Sequence, residues 1–222
     1  MQDDAQTRLL ADLRRAAIAS LSDAVDALLG VPACMLPDMR PVAGGAFAGR
    51  AATALLRPAP REQATRHAAL RDSVGMIDES RPGEVGVIVL EDGLAVAAVG
   101  GLMAEAAHAR GMAALVCDAA VRDVVELRAI GMPVFARAIS AAASVGRHVS
   151  VARGVELVCA GVRVRPGDYV VGGDDGVIVL PAERAAEVAA FALELDAREA
   201  RMVPLIREAR ALRPVAEKFN RG

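Results

Sequence analysis

Hydrophobic and polar positions follow two different spacings along this chain, and together they predict a mixed α/β protein. Residues 6–29 carry apolar side chains at helical spacing, with a break and a new N-cap expected at Ser22. After a loop rich in proline and glycine over 31–45, short apolar runs alternate with helical segments. The predicted strands are 46–56, 85–90, 94–101, 112–118 and 132–139, and the predicted helices between them are 60–77, 102–111 and 122–131.

The last third of the chain has a different pattern. Residues 154–181 alternate apolar runs with glycine turns, which is typical of antiparallel strands, and Asp174-Asp175-Gly176 is expected to form a turn and not a calcium site. Residues 182–212 predict one long helix with a kink at Pro204. Both terminal helical arms are expected to pack on a partner subunit or to fold back on their own domain. We predict a single domain over 1–222, with an N-terminal helical arm over about 6–29, a core over about 30–181 and a C-terminal helical arm over about 182–222.

Composition and charge exclude several classes of function. The chain has a net charge of -2, no basic stripe and only 2% aromatic residues, so nucleic-acid binding gains no support. The N-terminus lacks the apolar segment of a secretory signal, and no apolar run is long enough to span a membrane, so we expect a cytoplasmic protein. Three widely spaced cysteines, Cys34, Cys117 and Cys159, are expected to be small buried hydrophobic residues and not metal ligands.

The first candidate site lies at residues 100–103, where two glycines end a predicted strand and a helix begins. The first N–H groups of a helix have no internal partner and point outward with the positive end of the helix dipole. Gly100, Gly101, Leu102 and Met103 could therefore bind a carboxylate or phosphate through their backbone. An ordinary strand-to-helix turn explains the same residues, and the glycine spacing does not match a dinucleotide-binding motif.

The second candidate site is the adjacent pair Arg122 and Asp123, which follows the predicted strand over 112–118. An arginine grips a carboxylate with two parallel hydrogen bonds, and an aspartate can hold a Mg²⁺ ion that keeps several waters. If the strands before the two sites are parallel neighbours, both sites lie at one edge of the sheet and suit a small 2-oxo acid. The alternative is an acid that favours a helix start, with a solvated arginine beside it.

Several segments resemble one known family in the right order. The stretch "GGLMAEAAHARGMAALVCDAAVRDVVELRAIGMPVFAR" resembles the central signature of the 4-hydroxy-4-methyl-2-oxoglutarate aldolase family, which includes the regulator of ribonuclease activity A. The segments "SDAVDAL", "RPGEVGVIV" and "VRPGDYVVGGDDGVIVLP" resemble other parts of the same family. The resemblance covers residues 15 to 205 approximately.

This resemblance implies a fold, an assembly and a reaction. The implied fold is an α/β/β/α sandwich akin to a swivelling phosphohistidine-type domain, assembled as a homotrimer or a homohexamer with sites between subunits. The implied reaction is class II aldol cleavage of 4-hydroxy-4-methyl-2-oxoglutarate or 4-carboxy-4-hydroxy-2-oxoadipate, giving pyruvate and a second oxo acid. Mg²⁺ or Mn²⁺ is the implied cofactor, and oxaloacetate decarboxylation is the implied side activity.

The resemblance also implies roles for individual residues. Gly100 to Met103 would bind the substrate through backbone amides, Arg122 would bind the pyruvyl group, and Asp123 would hold the metal, partly through waters. Glu199 is the best match to an acid that assists from the C-terminal helix of a neighbouring subunit, although a solvated helix acid fits it almost equally well.

Two departures from the family pattern keep other readings open. Aldolases of this family often carry an acid where this chain has Gly101, and the family's Asp-Gly before the Arg-Asp pair is Asp118-Ala119 here. Without that acid, a metal-bound water could still move protons. The alternatives are a non-enzymatic protein that binds and inhibits a ribonuclease, and a related 2-oxo-acid lyase with another substrate. Arg66 and Arg71 are assigned to a solvated helix face, and the three histidines lack ligand spacing.

Overall fold

The computed structural model describes residues 2–219, with side chains from residue 4 onward. It contains seven α-helices, eleven strands and one 3₁₀ turn in this part of the chain. The helices are α1 (Gln2–Arg15), α2 (Ile18–Leu28), α3 (Arg66–Glu79), α4 (Gly101–Ala109), α5 (Val124–Ile130), α6 (Ala185–Ala209) and α7 (Arg213–Lys218). The strands are β1 (Arg40–Ala43), β2 (Phe47–Pro58), β3 (Val85–Leu90), β4 (Ala97–Val99), β5 (Ala114–Val121), β6 (Val134–Ile139), β7 (His148–Arg153), β8 (Leu157–Cys159), β9 (Val162–Val164), β10 (Tyr169–Gly173) and β11 (Gly176–Leu180).

Nine of the strands form one nearly closed mixed sheet in the order β1-β6-β5-β3-β2-β10-β11, with β4 beside β5 and β7 beside β2. The segment from β2 through β3 and β5 to β6 is parallel. The long strand β2 belongs to both halves of the sheet, because residues 47–50 pair with β10 and residues 51–56 pair with β3. Strands β8 and β9 form a separate hairpin.

Three hydrophobic clusters hold the layers together. Helices α3, α4 and α5 pack on one face of the parallel strands, and α1, α2 and α6 pack on β10 and β11. The third cluster fills the space enclosed by the sheet, where Phe47 and Phe135 meet edge to face at 5.1 Å. The sequence of β3 is continuously apolar because both faces of the strand are buried. Val85, Val87 and Val89 face the enclosed core, while Ile88 and Leu90 face the helices.

The mixed α/β prediction is confirmed, with helices on both outer sides of a nearly closed sheet. Of the two alternatives for the terminal arms, the structure shows α1, α2 and α6 folded back on their own sheet. The likeness to a swivelling phosphohistidine-type domain stays a prediction. No helix within residues 2–219 is long and apolar enough to cross a membrane.

The N-terminal helix break lies at residues 16–17, so the expected break at Ser22 is wrong. The Ala17 N–H donates to Asp196 Oδ2 at 3.1 Å, and the Ser20 hydroxyl donates to Asp196 Oδ1 at 2.6 Å. The Asp196 carboxylate on α6 thus accepts hydrogen bonds from the start of α2, a role that was predicted for the side chain of Ser22. Ser22 lies inside α2.

Other boundaries also differ from the prediction. The expected loop over 31–45 contains β1, which pairs with β6, and β7 was not predicted. Helix α3 begins after its N-cap Thr65, later than expected, and β4 is shortened by a 3₁₀ turn over Gly93–Ala95. Helix α6 runs through Pro204 and ends at Ala209. The turn at 174–176 is confirmed, because it joins β10 to β11.

The cysteines divide into two kinds. Cys117 and Cys159 are buried as expected, whereas Cys34 is exposed, which corrects the prediction for that residue. Burial, helped by the charge of Asp118, raises the pKa of the Cys117 thiol to about 12. Cys117 therefore stays protonated and behaves as an apolar residue.

Candidate anion-binding site at the edge of the sheet

Strands β4 and β5 are parallel neighbours, with Val99 beside Val121. Their carboxyl ends therefore lie at the same edge of the sheet, as the sequence argument required. Helix α4 begins immediately after β4, and Arg122 and Asp123 immediately follow β5. The two candidate sites of the sequence are thus one site in the structure.

The Asp123 carboxylate accepts a hydrogen bond from the start of α4. The Gly101 N–H donates to Asp123 Oδ2 at 2.9 Å, and Arg122 Nε lies 3.7 Å from the same oxygen. Asp123 has φ 58° and ψ 43°, a left-handed conformation that aspartate adopts more readily than most residues. A backbone conformation of this kind costs on the order of 1 kcal/mol, and such residues cluster at active sites and ligand clamps.

Gly100 makes this arrangement possible by having no side chain. A Cβ atom at Gly100 would lie 2.5 Å from Asp123 Oδ2 and 3.0 Å from Arg122 Nε. Gly101 is also enclosed, because a Cβ atom there would lie 3.2 Å from the Cβ of Glu126. The glycine at 101 therefore leaves room for Glu126 at the start of α5.

A cavity of about 130 Å³ opens beside these residues. Pockets for drug-sized ligands usually span about 300–1,000 Å³, so this one suits a small acid and not a nucleotide. Most of its wall is apolar, and its side-chain polar groups come from two arginines, an aspartate and a serine. The lining residues are Arg66, Leu70, Ala97, Ala98, Val99, Gly100, Leu102, Met103, Arg122, Asp123, Ala143, Ser144 and Val145.

Five of the predicted site residues line this cavity: Gly100, Leu102, Met103, Arg122 and Asp123. Two of the predicted amide donors already have partners, since Gly101 bonds to Asp123 and the Met103 N–H donates to the Gly100 carbonyl at 3.1 Å. The Leu102 N–H, at the second position of α4, has no intrahelical acceptor. It is the first-turn donor best placed to meet an anion.

Glu199 lies on the exposed side of α6 and does not line this cavity. Helix α6 packs in the cluster of α1, α2 and the strands β10 and β11, whereas α3, α4 and α5 pack in the cluster on the other outer side. The role of Glu199 in the site of a neighbouring subunit stays a prediction.

Two polar residues of the cavity were not predicted from the sequence. Arg66 was assigned to a solvated helix face, but it is the first residue of α3 and lines the cavity. Ser144 lies in a segment without any periodic signal, and tertiary contacts bring it to the site. Arg71 differs from Arg66, because its guanidinium pairs with Asp72 at 2.9 Å.

A family model described as RraA-like, Aldolase/RraA, matches residues 18–179. The chain belongs to the RraA-like family. A protein of Halalkalibacterium halodurans, provisionally named 4-hydroxy-4-methyl-2-oxoglutarate aldolase, is 34% identical over 142 residues, which cover 64% of this chain and 67% of that protein. Across the first three curated relatives, this RraA-like chain spans 67%, 62% and 35% of their own lengths.

Solved structures of similar proteins share the architecture. An uncharacterized protein from Pseudomonas syringae pv. tomato matches with a TM-score of 0.84 and 27% identity, covering 96% of this chain and 94% of that one. Streptomyces coelicolor RraAS2, described as an unusual member of the RNase ES inhibitor RraA protein family, matches with a TM-score of 0.76 and 26% identity, covering 87% and 94%. The fold is therefore that of RraA-like proteins.

The carboxylate of Asp123 fits one kind of metal site. Within residues 2–219, no group of three His, Cys, Asp or Glu side chains could together hold an ion. Mg²⁺ is commonly bound by one or two carboxylates while it keeps several waters and takes further oxygens from the substrate. The Asp123 side chain is 42% exposed and could offer an oxygen to such an ion. A site built only from protein ligands, as structural zinc requires, does not fit these residues.

A second acid–arginine cluster joins Asp118 of β5 to Arg137 of β6 and to Asp38, and its charged groups are paired with one another. Arg137 Nη1 bonds to Asp118 Oδ1 at 2.8 Å, and Arg137 Nη2 bonds to Asp38 Oδ2 at 2.8 Å. Asp118 Oδ2 also accepts the Ala160 N–H at 2.6 Å. These bonds raise the pKa of Arg137, and the bond from Arg137 lowers the pKa of Asp38. This cluster links β5, β6 and the β8–β9 turn, and we assign it a structural role.

Proposed function

We propose that this chain is a divalent-metal-dependent lyase that cleaves a 4-hydroxy-2-oxo acid to pyruvate and a second oxo acid. Suitable substrates are 4-hydroxy-4-methyl-2-oxoglutarate and 4-carboxy-4-hydroxy-2-oxoadipate, with oxaloacetate decarboxylation as a side activity. The observation that carries the proposal is the convergence of Arg122, Asp123 and the start of α4 on one small cavity. The family and the provisional aldolase name of the Halalkalibacterium relative support it.

The residues of the site have separate tasks in this proposal. Arg122 binds the carboxylate of the 2-oxo acid through its planar guanidinium, and the Leu102 N–H and the dipole of α4 add further positive potential. Asp123 would hold Mg²⁺ or Mn²⁺, which would supply Lewis-acid stabilisation of the negative charge that develops on the substrate. The apolar wall, including Val99 and Met103, lowers the local dielectric and strengthens these interactions.

Assembly could add one more group to the site. We propose a homotrimer or homohexamer in the cytoplasm, with Glu199 of a neighbouring subunit beside the metal. This arrangement accounts for an exposed acid on a long terminal helix. Mass photometry gives the subunit count, and mixing inactive Asp123→Asn subunits with inactive Glu199→Gln subunits restores activity only if one site uses both chains.

A second candidate is a regulator that binds a ribonuclease without catalysing a reaction. The structural likeness to RraAS2, described as belonging to an RNase ES inhibitor family, favours it. The two candidates predict different results in the same preparation, since a regulator would slow a ribonuclease and would release no pyruvate.

The deciding experiment supplies the purified chain with Mg²⁺ and either 4-hydroxy-4-methyl-2-oxoglutarate or oxaloacetate, and couples pyruvate to lactate dehydrogenase. We expect pyruvate from at least one substrate, abolished by EDTA and restored by Mg²⁺ or Mn²⁺. Arg122→Lys keeps the charge but loses the planar fork and should lower the rate. No pyruvate from either substrate with either metal would reject the lyase. Inhibition of ribonuclease E-type cleavage in parallel would favour the regulator.

A further inference from the structure

The part of the cavity wall formed by the start of α3 and the segment around Ser144 carries polar groups that the proposed lyase chemistry does not use. The guanidinium of Arg66, at the exposed first position of α3, has no hydrogen bond or ion pair with any residue in the described part of the chain. Ser144 is only 3% exposed, and its hydroxyl likewise has no hydrogen-bond partner among residues 2–219. Because Ser144 lines the cavity, its hydroxyl is available to donate a hydrogen bond to a group that enters there.

The segment that carries Ser144 is held firmly in place. The Ala97 N–H donates to the Ala142 carbonyl at 2.7 Å, which ties the segment to β4. The Gly146 N–H donates to the Ala64 carbonyl at 2.7 Å, which ties it to the residues just before α3. The Ser144 carbonyl accepts the N–H groups of Arg147 and His148. The backbone around Ser144 is thus held beside the start of α3, and both Ser144 and Arg66 line the cavity.

The charge around the cavity favours a ligand with more than one negative group. Its lining includes two guanidinium groups, Arg66 and Arg122, and one carboxylate, Asp123. A bound divalent cation would make the balance more positive. A ligand with a single carboxylate would pair with Arg122 and would leave Arg66 and the Ser144 hydroxyl without a negatively charged partner in the cavity.

We propose that Arg66 and Ser144 form a second anion subsite, which binds the distal carboxylate of a 2-oxo dicarboxylic acid. The guanidinium of Arg66 would donate to that carboxylate and the Ser144 hydroxyl would donate to the same group. Arg122 and Asp123 hold the 2-oxo acid end. This assignment rests on the proposed function for the orientation of the ligand, and it adds the residues that select dicarboxylates over monocarboxylates.

The test compares two ligands that differ only at the distal end, 2-oxoglutarate and 2-oxopentanoate, by calorimetry with Mg²⁺ present. The wild type should bind 2-oxoglutarate more tightly, and Arg66→Ala should reduce that preference by about 10-fold, the size of one charge-assisted hydrogen bond. Ser144→Ala should reduce it by about 3-fold, with no loss of thermal stability, because the hydroxyl has no partner to lose. Arg8→Ala is the matched control, because it removes one arginine from α1 on the other outer side of the sheet.

The outcomes separate this inference from the proposed lyase. If Arg66→Ala and Ser144→Ala leave the preference between the two ligands at the wild-type value, the subsite is wrong even if pyruvate is released. If the preference falls while the wild type releases no pyruvate from any substrate, the subsite stands and the lyase is rejected. Arg66→Lys should recover part of the preference, since it keeps the charge, and no recovery would assign Arg66 a packing role.

Discussion

Two acid–arginine pairs have their acids on β5 and its following turn, and the pairs differ in exposure and in the distance between their charged groups. Asp118 and Arg137 are only 16% and 18% exposed, and their bond is 2.8 Å long. Arg122 and Asp123 are 44% and 42% exposed, and their closest approach is 3.7 Å, too long for a hydrogen bond. The first pair is satisfied within the protein. The second keeps most of its bonding capacity, which is what a binding site requires.

The largest expected effect is that of Arg122→Ala on catalysis. Loss of a charge-assisted grip on the substrate carboxylate should lower kcat/KM by about 100-fold. The melting temperature should stay close to the wild-type value, because the Arg122 side chain has no contact with a charged group other than the long one with Asp123 among residues 2–219. Steady-state kinetics and thermal unfolding on the same preparation measure both. A large fall in melting temperature would show that the second pair is structural after all.

The opposite pattern is expected for Asp118→Ala. This change leaves the Ala160 N–H without its acceptor and removes one carboxylate from Arg137, so it should destabilise the protein by about 2–4 kcal/mol. A chain of this size should then melt roughly 5–12 °C lower. Differential scanning calorimetry measures the shift. An unchanged melting temperature together with lost activity would show that Asp118 acts in the site and does not mainly stabilise the fold.

A smaller effect is expected when the space that Asp123 occupies is filled. Gly100→Ala places a methyl group where the Asp123 carboxylate now lies, so that side chain must turn away from the start of α4. We expect about a 10-fold loss of kcat/KM with little loss of stability, because a side-chain end can move more easily than backbone. Gly45→Ala is the matched control, since a Cβ atom there meets nothing within 4 Å. Equal activity in the two variants would argue that the position of Asp123 is unimportant.

The smallest effect concerns acid stability and again uses the paired cluster. Arg137 holds the pKa of Asp38 below its usual value of about 3.9, so the ionised form is favoured in the folded state. The stability from this pair is complete above the unfolded pKa and is lost as pH falls through the lower folded pKa. Asp38 is largely exposed, so solvent screens the effect. Melting temperatures between pH 2.5 and 5, at roughly half-unit steps, should fall less steeply for Asp38→Asn than for the wild type.

The features that could be predicted from the sequence are those that depend on residues close together along the chain. Strand β3, helix α4 with its end near Gly111, and the turn at 174–176 depend on local spacing and on glycines with positive φ, which a sequence displays directly. A binding role for Arg122 and Asp123 could be proposed because strand, turn and helix follow one another along the chain. The element boundaries and this site are therefore both marked by residues close together in the sequence.

The features that were missed depend on contacts between distant residues. Strand β1 exists because Arg40 and Pro41 pair with Ala136 and Phe135, which lie almost a hundred positions later. The break between α1 and α2 depends on Asp196 of α6, and Ser144 reaches the cavity through bonds from Ala97 and Gly146. None of these contacts leaves a periodic pattern in the sequence. Arg66 and Arg71 were both noted in the sequence, but only the fold shows that Arg66 lines the cavity while Arg71 forms an ion pair with Asp72.

The most direct test of the central claim is Mn²⁺ binding measured by electron paramagnetic resonance in two matched variants, Asp123→Asn and Asp118→Asn. Both replace a carboxylate on the same strand-and-turn segment by an amide of the same shape, and an asparagine at 123 can still accept the Gly101 N–H. If Asp123 holds the metal, Asp123→Asn should weaken Mn²⁺ binding by about 10-fold or more, while Asp118→Asn should bind Mn²⁺ like the wild type. Unchanged Mn²⁺ affinity in Asp123→Asn would contradict the account.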